Sequence, residues 1–248
     1  MQKNIDDFIF IIALFVYFCK NKIDFTNNAH FMKYYGVIFD LDGTLINSLE
    51  DIANCANLVL DRHHLPTHPV NNYLKFIGEG AKMLIRKALP SYYREENTVE
   101  LILKEYSEEY RKNCLVKTHI YNGLSEVLDI LKASGISINV LSNKPDEFTK
   151  YLVNQLFKKW SFNIVLGHKP EFPRKPDPAS ALHIVKQLKI APENLCYVGD
   201  SEVDIQTAKS ANISSIAVTW GFRNSEILSA CKPEYLIHHP SELVKILV

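Results

Sequence analysis

Short apolar runs alternate with amphipathic stretches along most of the chain. The runs predict buried β-strands at 34–39, 136–141, 162–166, 195–198, 215–218 and 235–237. The stretches between them have apolar residues at helical spacing, which predicts helices at 124–133, 178–188, 203–210 and 240–248. Strands that alternate with helices are typical of a parallel sheet with helices on both faces. The pattern therefore predicts an α/β fold with a Rossmann-like parallel sheet core.

One interval of the chain contains no such strand. Its pattern predicts helices at 48–64, 80–89 and 98–114, separated by prolines and glycines. A helical insertion after the first strand would lie above the carboxyl edge of the sheet, where ligands bind in such folds. The predicted parts are an N-terminal extension at 1–31, an α/β core at 32–47 and 119–248, and an inserted α-helical cap domain at 48–118.

The N-terminal extension does not fit a standard targeting signal. Its apolar run at 8–19 is shorter than the roughly 20 residues that span a membrane. Asp6 and Asp7 precede the run, and no small-residue cleavage site follows it, unlike a secretory signal. Met32 stands directly before the first predicted strand. The extension is therefore interpreted either as a non-native start or as an accessory helix.

The composition limits the classes of partner. The 28 basic side chains balance the 28 acidic ones, so no overall field favours nucleic acid or an anionic membrane. The five cysteines form no C-x-x-C pair, which favours reduced thiols in a cytoplasmic protein over a zinc site. The protein is expected to be a monomer or a homodimer. His63, His64 and His68 cluster near prolines and are interpreted as surface and loop residues.

Polar residues stand at the ends of three predicted strands and in the loop after a fourth. They are Asp40, Asp42, Gly43 and Thr44 after the first strand, Ser142 and Asn143 after the second, Lys175 after the third, and Asp200 and Asp204 after the fourth. Singly, each has an ordinary explanation as a turn residue, a helix cap or a solvated lysine. In a parallel sheet, however, these strand ends lie at one edge. The sequence therefore predicts that they meet.

Such a meeting predicts phosphoryl-transfer chemistry. Asp40, Asp42 and Asp200 would repel one another by several kcal/mol unless a cation neutralised them, and Mg²⁺ prefers such oxygen ligands. The predicted groups for phosphate oxygens are Lys175, the side chains of Ser142 and Asn143, and the N–H groups around Gly43 and Thr44. Because side chains alternate along a strand, Asp40 and Asp42 can face one cleft. We assign Asp40 as nucleophile and Asp42 as general acid/base.

At "DLDGT", Ser142, "KPDP" and "GDSEVD" the sequence resembles the haloacid dehalogenase-like hydrolases, over about 32–248. It is most similar to phosphatases with a cap after the first core strand, and "LSNKP", "IGEGAKMLIRKAL" and "TWGFR" resemble phosphoglycolate phosphatases. The resemblance implies that Asp40, the backbone carbonyl of Asp42, and Asp200 bind Mg²⁺. It also implies that Ser142 and Lys175 hold the phosphoryl group. Asp204 is implied to contact the metal ligands without binding the metal itself, or to reach the metal through a water molecule. Asn47 and Trp220 depart from that group's usual residues.

Substrate choice is predicted to lie in the cap. Gly78 and Gly80 indicate a flexible loop, and Lys82 or Arg86 either meets a second anionic group or is an ordinary surface charge. The predicted function is Mg²⁺-dependent hydrolysis of a small phosphomonoester through an aspartyl-phosphate, with 2-phosphoglycolate as the first choice. The alternatives are a sugar-phosphate mutase of the β-phosphoglucomutase type, which would release little free phosphate, and a non-catalytic regulator, which would lack a nucleophile or a metal ligand.

Overall fold

The centre of the fold is a parallel β-sheet. The computed structural model describes residues 33–248, so the interpretation of residues 1–31 lies outside the described part. The strands are β1 (Gly36–Phe39), β2 (Ile46–Asn47), β3 (His119–Ile120), β4 (Ser137–Pro145), β5 (Ile164–His168), β6 (Leu195–Gly199), β7 (Ser214–Val218) and β8 (Tyr235–Ile237). Six of them form one sheet in the order β5-β4-β1-β6-β7-β8, with every neighbour parallel.

Burial explains why these strands could be predicted. Every residue of β1 and of β6 is buried, since a parallel sheet is covered on both faces and its strands become continuously apolar. The six predicted strands and the α/β class are confirmed. The antiparallel pair β2–β3 was not predicted, because two residues per strand are too few to show a period.

Helices flank the sheet and connect its strands. They are α1 (Leu49–Arg62), α2 (Ala81–Ala88), α3 (Glu96–Asn113), α4 (Leu124–Ala133), α5 (Asp146–Leu156), α6 (Ala179–Leu188), α7 (Glu202–Ser210), α8 (Ser225–Ala230) and α9 (Glu242–Leu247), with short 3₁₀ helices at Val70–Lys75, Ser91–Tyr93 and Pro192–Asn194. Ile184 of α6 and Ala208 of α7 share one buried cluster with Ile38 and Tyr197 of the sheet. None of the helices described between residues 33 and 248 is both long and apolar enough to cross a membrane.

The segment between β2 and β3 is helical, and its two ends are joined. Within it α3 packs against both α1 and α2. The carboxylate of Asp51, in the first turn of α1, is buried and accepts hydrogen bonds from the N–H groups of Lys117 (3.0 Å) and Thr118 (2.8 Å) and from the Thr118 hydroxyl (2.7 Å). The chain therefore leaves the sheet and returns to it at one place, which the β2–β3 pair also marks.

Candidate active site

The residues predicted from four parts of the sequence meet at the carboxyl edge of the sheet. Asp40, Asp42, Ser142, Lys175 and Asp200 all line one cavity of about 80 Å³. Parallel pairing of β1 with both β4 and β6 brings these strand ends together. The lining residues that come from the helical segment are largely apolar, and Ile52, Ile77 and Leu84 are among them.

Lys175 lies at the centre of the site. Its buried Nζ donates to Asp40 Oδ1 (2.9 Å), Asp204 Oδ1 (2.7 Å) and the carbonyl of Leu141 (3.1 Å), and lies 3.0 Å from the Tyr197 hydroxyl. Burial acts to lower the pKa of Lys175, but the carboxylates of Asp204 and Asp40 outweigh it and hold the pKa well above its usual value. The ammonium group is therefore charged and fixes the orientation of Asp40.

Two carboxyl groups in the cavity are unfavourably placed for ionisation. Burial raises the pKa of Asp40 to about 7, with the charge of Asp204 adding to the rise and Lys175 opposing it. Burial also raises the pKa of Asp200 well above its usual value, with added repulsion from Asp204 and Asp40. Both pKa shifts have the sign expected of carboxyl groups packed together away from water. A bound cation would relieve this repulsion.

Local structure fixes the outer carboxylate, Asp204. Ser201 caps α7, its Oγ accepting from the backbone N–H of Asp204 (3.3 Å), while Asp204 Oδ2 accepts from the N–H (3.2 Å) and the hydroxyl (2.5 Å) of Ser201. This capping box leaves Oδ1 of Asp204 directed to Lys175. Protein donors thus occupy both oxygens of Asp204, which suits a supporting role.

Two glycines allow Asp200 to approach the end of β1. The carboxylate accepts from the Thr44 hydroxyl (3.2 Å) and from the N–H of Phe222 (2.7 Å). A Cβ at Gly43, where φ is +87°, would overlap the carboxylate of Asp200. A Cβ at Gly221 would overlap both the Asp200 side chain and the carbonyl of Gly43. Only glycine permits this packing at either position.

The donor set fits a hard divalent cation. Asp40, Asp200 and Asp204 each place a carboxylate oxygen within 4.8 Å of the others. When all are ionised, these three carboxylates and that of Asp42 exceed the two ammonium groups that pair with them, Lys175 and Lys144, by two negative charges. Oxygen ligands with excess negative charge are those that Mg²⁺ prefers. The predicted metal residues Asp40 and Asp200 are in this group.

The carboxylate of Asp42 has a different set of partners. Its Oδ1 accepts from the Ser48 hydroxyl (2.6 Å) and from Lys144 Nζ (3.1 Å), and its Oδ2 accepts from Lys144 Nζ (2.9 Å). Lys144 Nζ also lies 4.6 Å from the centre of the Tyr110 ring. The side chain of Asp42 is therefore held apart from the Asp40–Asp200–Asp204 group.

The predicted phosphate-binding residues divide into two sets. Ser142 and Lys175 line the cavity. Asn143 also lines it, but its amide accepts from the N–H of Lys175 (2.9 Å) and donates to the carbonyls of Lys175 (3.0 Å) and Gly78 (2.9 Å). The N–H of Gly43 donates to the carbonyl of Ile46 in β2 (2.8 Å) and that of Thr44 to the carbonyl of Leu41 (3.3 Å), and neither residue lines the cavity.

The helical segment supplies its loop to the cavity, whereas Lys82 and Arg86, for which the sequence left two interpretations open, lie on its surface. Gly78 and Gly80 line the cavity. Lys82 and Arg86 do not. Both pair with Glu96, and Lys82 also pairs with Glu100, on the exposed face of α2 and α3. The acidic partners lie on the neighbouring helix α3, which the sequence pattern of α2 alone does not show.

The histidines that cluster in the sequence lie away from the acidic group. His63 contacts Glu105 (3.0 Å), and His68 contacts the carbonyl of Ala88 (2.7 Å). Among residues 33–248, the group that could hold a metal contains only carboxylates.

Three residues of the site were not predicted. Lys144 follows Ser142 and Asn143 in a buried strand, and a lysine in such a run is the signal that could have found it. Tyr197 is likewise a polar residue in an apolar strand, and its hydroxyl donates to the Leu141 carbonyl (3.2 Å). Arg223 lines the cavity and donates to the carbonyls of Leu74 (2.7 Å) and Ile77 (3.0 Å); it ends the stretch "TWGFR", but no role was predicted for it.

Comparison with known proteins identifies the family. Residues 37–218 match the sequence profile of the haloacid dehalogenase-like hydrolases. The chain belongs to this family. A phosphoglycolate phosphatase of Aquifex aeolicus is 34% identical over 85% of the chain and 95% of its own length. Phosphoglycolate phosphatase 1 of Pseudomonas aeruginosa is 30% identical over 84% of the chain and 78% of its own length.

Solved structures agree with this family assignment. A Lactobacillus delbrueckii subsp. bulgaricus protein, provisionally identified as a phosphoglycolate phosphatase, has a TM-score of 0.82 and 29% identity, covering 87% of this chain and 99% of its own. A Haemophilus somnus protein predicted to be such a phosphatase has a TM-score of 0.80 and 26% identity, with the same coverage. The predicted family and the predicted enzyme class, a phosphoric monoester hydrolase, are confirmed.

Proposed function

We propose that the protein hydrolyses 2-phosphoglycolate to glycolate and phosphate, with Mg²⁺ as cofactor and an aspartyl-phosphate on Asp40 as intermediate. The main supporting observation is that Asp40 and Asp42 line one cavity while Lys175 holds Oδ1 of Asp40. The substrate follows from the relatives, since the Aquifex aeolicus and Pseudomonas aeruginosa proteins are named phosphoglycolate phosphatases. A cytoplasmic location and a monomeric or homodimeric state remain predictions.

The residues of the chain divide the reaction between them. Asp42 enters the cycle carrying a proton taken up from solvent. Asp40 Oδ2 attacks phosphorus, the bond from phosphorus to the leaving oxygen breaks, and Asp42 donates its proton to that oxygen and becomes a carboxylate. Water then attacks the aspartyl-phosphate and gives its proton to Asp42, and the bond from phosphorus to Asp40 breaks. Ser142 and Lys175 hold phosphoryl oxygens during both steps. Asn143 positions Lys175 through two hydrogen bonds to its backbone.

The metal site consists of Asp40, Asp200 and the backbone carbonyl of Asp42, with Asp204 in support. When bound, Mg²⁺ supplies positive charge to the phosphoryl oxygens and offsets the excess charge of the carboxylates. Asp200 is held for this role by Thr44 and Phe222.

Residues 48–118 act as the cap of the active site. Three observations support this role. The segment is helical, its two ends are joined by Asp51, and its loop at Gly78 and Gly80 lines the cavity. Arg223 and Asn143, both from the core, hold the carbonyls of Ile77 and Gly78, so they fasten this loop over the site.

The test is phosphate release from a panel of 2-phosphoglycolate, sugar phosphates and nucleotides, each with Mg²⁺ or with EDTA. We expect release that depends on Mg²⁺ and is greatest with 2-phosphoglycolate. Asp40→Asn is the blank, and it should lose at least about a thousandfold in turnover while it stays folded, because the covalent route is removed.

Three results would contradict parts of the proposal. Substantial turnover by Asp40→Asn would refute the nucleophile assignment. Release from other phosphomonoesters but not from 2-phosphoglycolate would refute the substrate and keep the mechanism. Phosphate exchange between sugar positions with little release would favour the mutase instead.

A further inference from the structure

Lys144 is a buried cation that the proposed reaction does not use. Its side chain is 7% exposed and lines the cavity, between the carboxylate of Asp42 and the face of the Tyr110 ring. Burying an ammonium group is costly unless it has an anionic partner. Among the described residues, its ion-pair partner is Asp42. Lys144 thus holds the residue that is assigned to proton transfer.

Both oxygens of Asp42 are occupied in this arrangement. Oδ1 is shared by Ser48 and Lys144, and Oδ2 is held by Lys144 at 2.9 Å. A general acid needs one oxygen within hydrogen-bond reach of the leaving oxygen. Oδ2 becomes available when Lys144 takes another anionic partner, and Ser48 keeps Oδ1 in place meanwhile. A second anion beside Asp42 would supply such a partner for Lys144.

The other cations near the cavity are less suited to that anion. Arg223 is committed to Glu202 and to two backbone carbonyls of the helical segment. Arg174 donates to the carbonyl of Asn143 and is absent from the residues that line the cavity. Lys175 is shared between Asp40 and Asp204. Lys144 alone among these has a partner whose release would serve the reaction.

We propose that Lys144 binds a carboxylate carried by the substrate next to its leaving oxygen, and that this contact frees Asp42 Oδ2 for proton transfer. The inference deepens the proposed function and rests on it. In 2-phosphoglycolate a single carbon separates the leaving oxygen from the carboxyl carbon. A carboxylate in that position lies beside whichever group protonates the leaving oxygen. Esters without the carboxylate leave Asp42 held by Lys144.

The kinetic test compares two esters, 2-phosphoglycolate and 2-hydroxyethyl phosphate, which differ in the carboxylate. We expect wild-type kcat/KM to favour 2-phosphoglycolate. Lys144→Met should lower kcat/KM for 2-phosphoglycolate by about 10- to 100-fold, the range for a hydrogen bond to a charged group. The ratio between the two esters should fall by at least about tenfold, and Lys144→Arg should recover part of it. Lys186→Met, which changes an exposed lysine of α6, is the matched control.

A binding measurement separates this inference from the proposed function. Calorimetric titration of Asp40→Asn with 2-phosphoglycolate, in the presence of Mg²⁺, reports binding without turnover. Adding Lys144→Met to that variant should weaken binding of 2-phosphoglycolate by about tenfold or more, and binding of 2-hydroxyethyl phosphate by less than about threefold. This result would support the role of Lys144 even if the wild-type enzyme preferred another carboxylated phosphomonoester.

Two outcomes would overturn the inference. Equal losses for both esters, in kcat/KM and in binding, would make Lys144 only a positioning residue for Asp42. No loss for either ester would make its ion pair with Asp42 irrelevant to the reaction. Failure of the proposed function would give a different result. The wild-type protein would release no phosphate from any ester, while Lys144→Met would still weaken binding of 2-phosphoglycolate more than binding of 2-hydroxyethyl phosphate.

Discussion

Replacement of Lys175 by methionine should lower both the stability and the activity of this enzyme. Methionine keeps an unbranched side chain of similar length but removes the buried ammonium group. That group has two carboxylates, Asp40 and Asp204, within 2.9 and 2.7 Å, and it also contacts the Leu141 carbonyl and the Tyr197 hydroxyl. The substitution therefore leaves two buried carboxylates without their cation.

The size of the effect follows from these contacts. Removing one partner of a buried ion pair costs about 3–5 kcal/mol, because an uncompensated charge remains inside the protein. For a chain of about 150–250 residues, 1 kcal/mol shifts the melting temperature by about 2–4 °C. Lys175→Met should therefore lower the melting temperature by about 6–20 °C. Turnover should also fall, because Lys175 orients Asp40 and, in the proposed mechanism, holds phosphoryl oxygens.

A second substitution separates the two effects. In Lys175→Met/Asp204→Asn the buried Asp204 charge is removed together with its partner, so part of the lost stability should return, about 1–2 kcal/mol. Activity should not return, since the cation on Asp40 is still missing. The assays are urea unfolding in EDTA, which excludes stabilisation by bound metal, and phosphate release with Mg²⁺. Lys186→Met is the control for loss of an exposed lysine.

One pair of results would refute this reasoning. If the free energy of unfolding of Lys175→Met matched that of Lys186→Met within about 0.5 kcal/mol and its kinetics stayed normal, then Lys175 would contribute to neither stability nor turnover. The observed burial and the four contacts would then have no energetic consequence. A double variant less stable than Lys175→Met alone would contradict the assignment of the penalty to Asp204.

Two further predictions concern the frame of the site. Asp51→Ala leaves three donors of Lys117 and Thr118 without a partner and should lower the free energy of unfolding in urea by about 3 kcal/mol. The control, Glu50→Ala, changes an exposed residue and should have almost no effect. A loss below about 0.5 kcal/mol for Asp51→Ala would contradict the role given to Asp51. Gly221→Ala should displace Asp200 and lower Mg²⁺ affinity in calorimetry, whereas Gly135→Ala, with nothing within 4 Å of the added methyl, should not. Equal Mg²⁺ affinity in the two glycine variants would exclude close packing at Asp200 as the cause.

Most of the core could be predicted from the sequence because its signals are local. A strand buried on both faces is continuously apolar, and a polar residue at its end is visible at once. That is how Asp40, Ser142 and Asp200 could be placed together across most of the chain. The topology of a parallel sheet supplied the long-range step, since its strand ends share one edge.

Which residues of the helical segment and of the turn after β1 reach the cavity could not be predicted in the same way. The pattern of α2 shows cations at 82 and 86 but not the acidic residues of α3 beside them, so the sequence left open whether Lys82 or Arg86 meets a substrate anion or is a surface charge. In the structure both pair with Glu96 on the surface. The turn at Gly43 and Thr44 uses its own N–H groups, which no spacing reveals. Contacts between helices and hydrogen bonds within turns depend on tertiary packing.

The two lysines of the site explain why two aspartates so close in sequence can have different tasks. Asp40 shares Lys175 with Asp204, in a group of carboxylates that fits a divalent cation. Asp42, two residues on, pairs with Lys144 and Ser48 instead. In the proposed mechanism, these separate partners keep Asp40 oriented for attack on phosphorus and keep Asp42 apart for proton transfer. Because neighbouring charges, not sequence distance, set these roles, exchanging Asp40 and Asp42 in function would require exchanging their lysines as well.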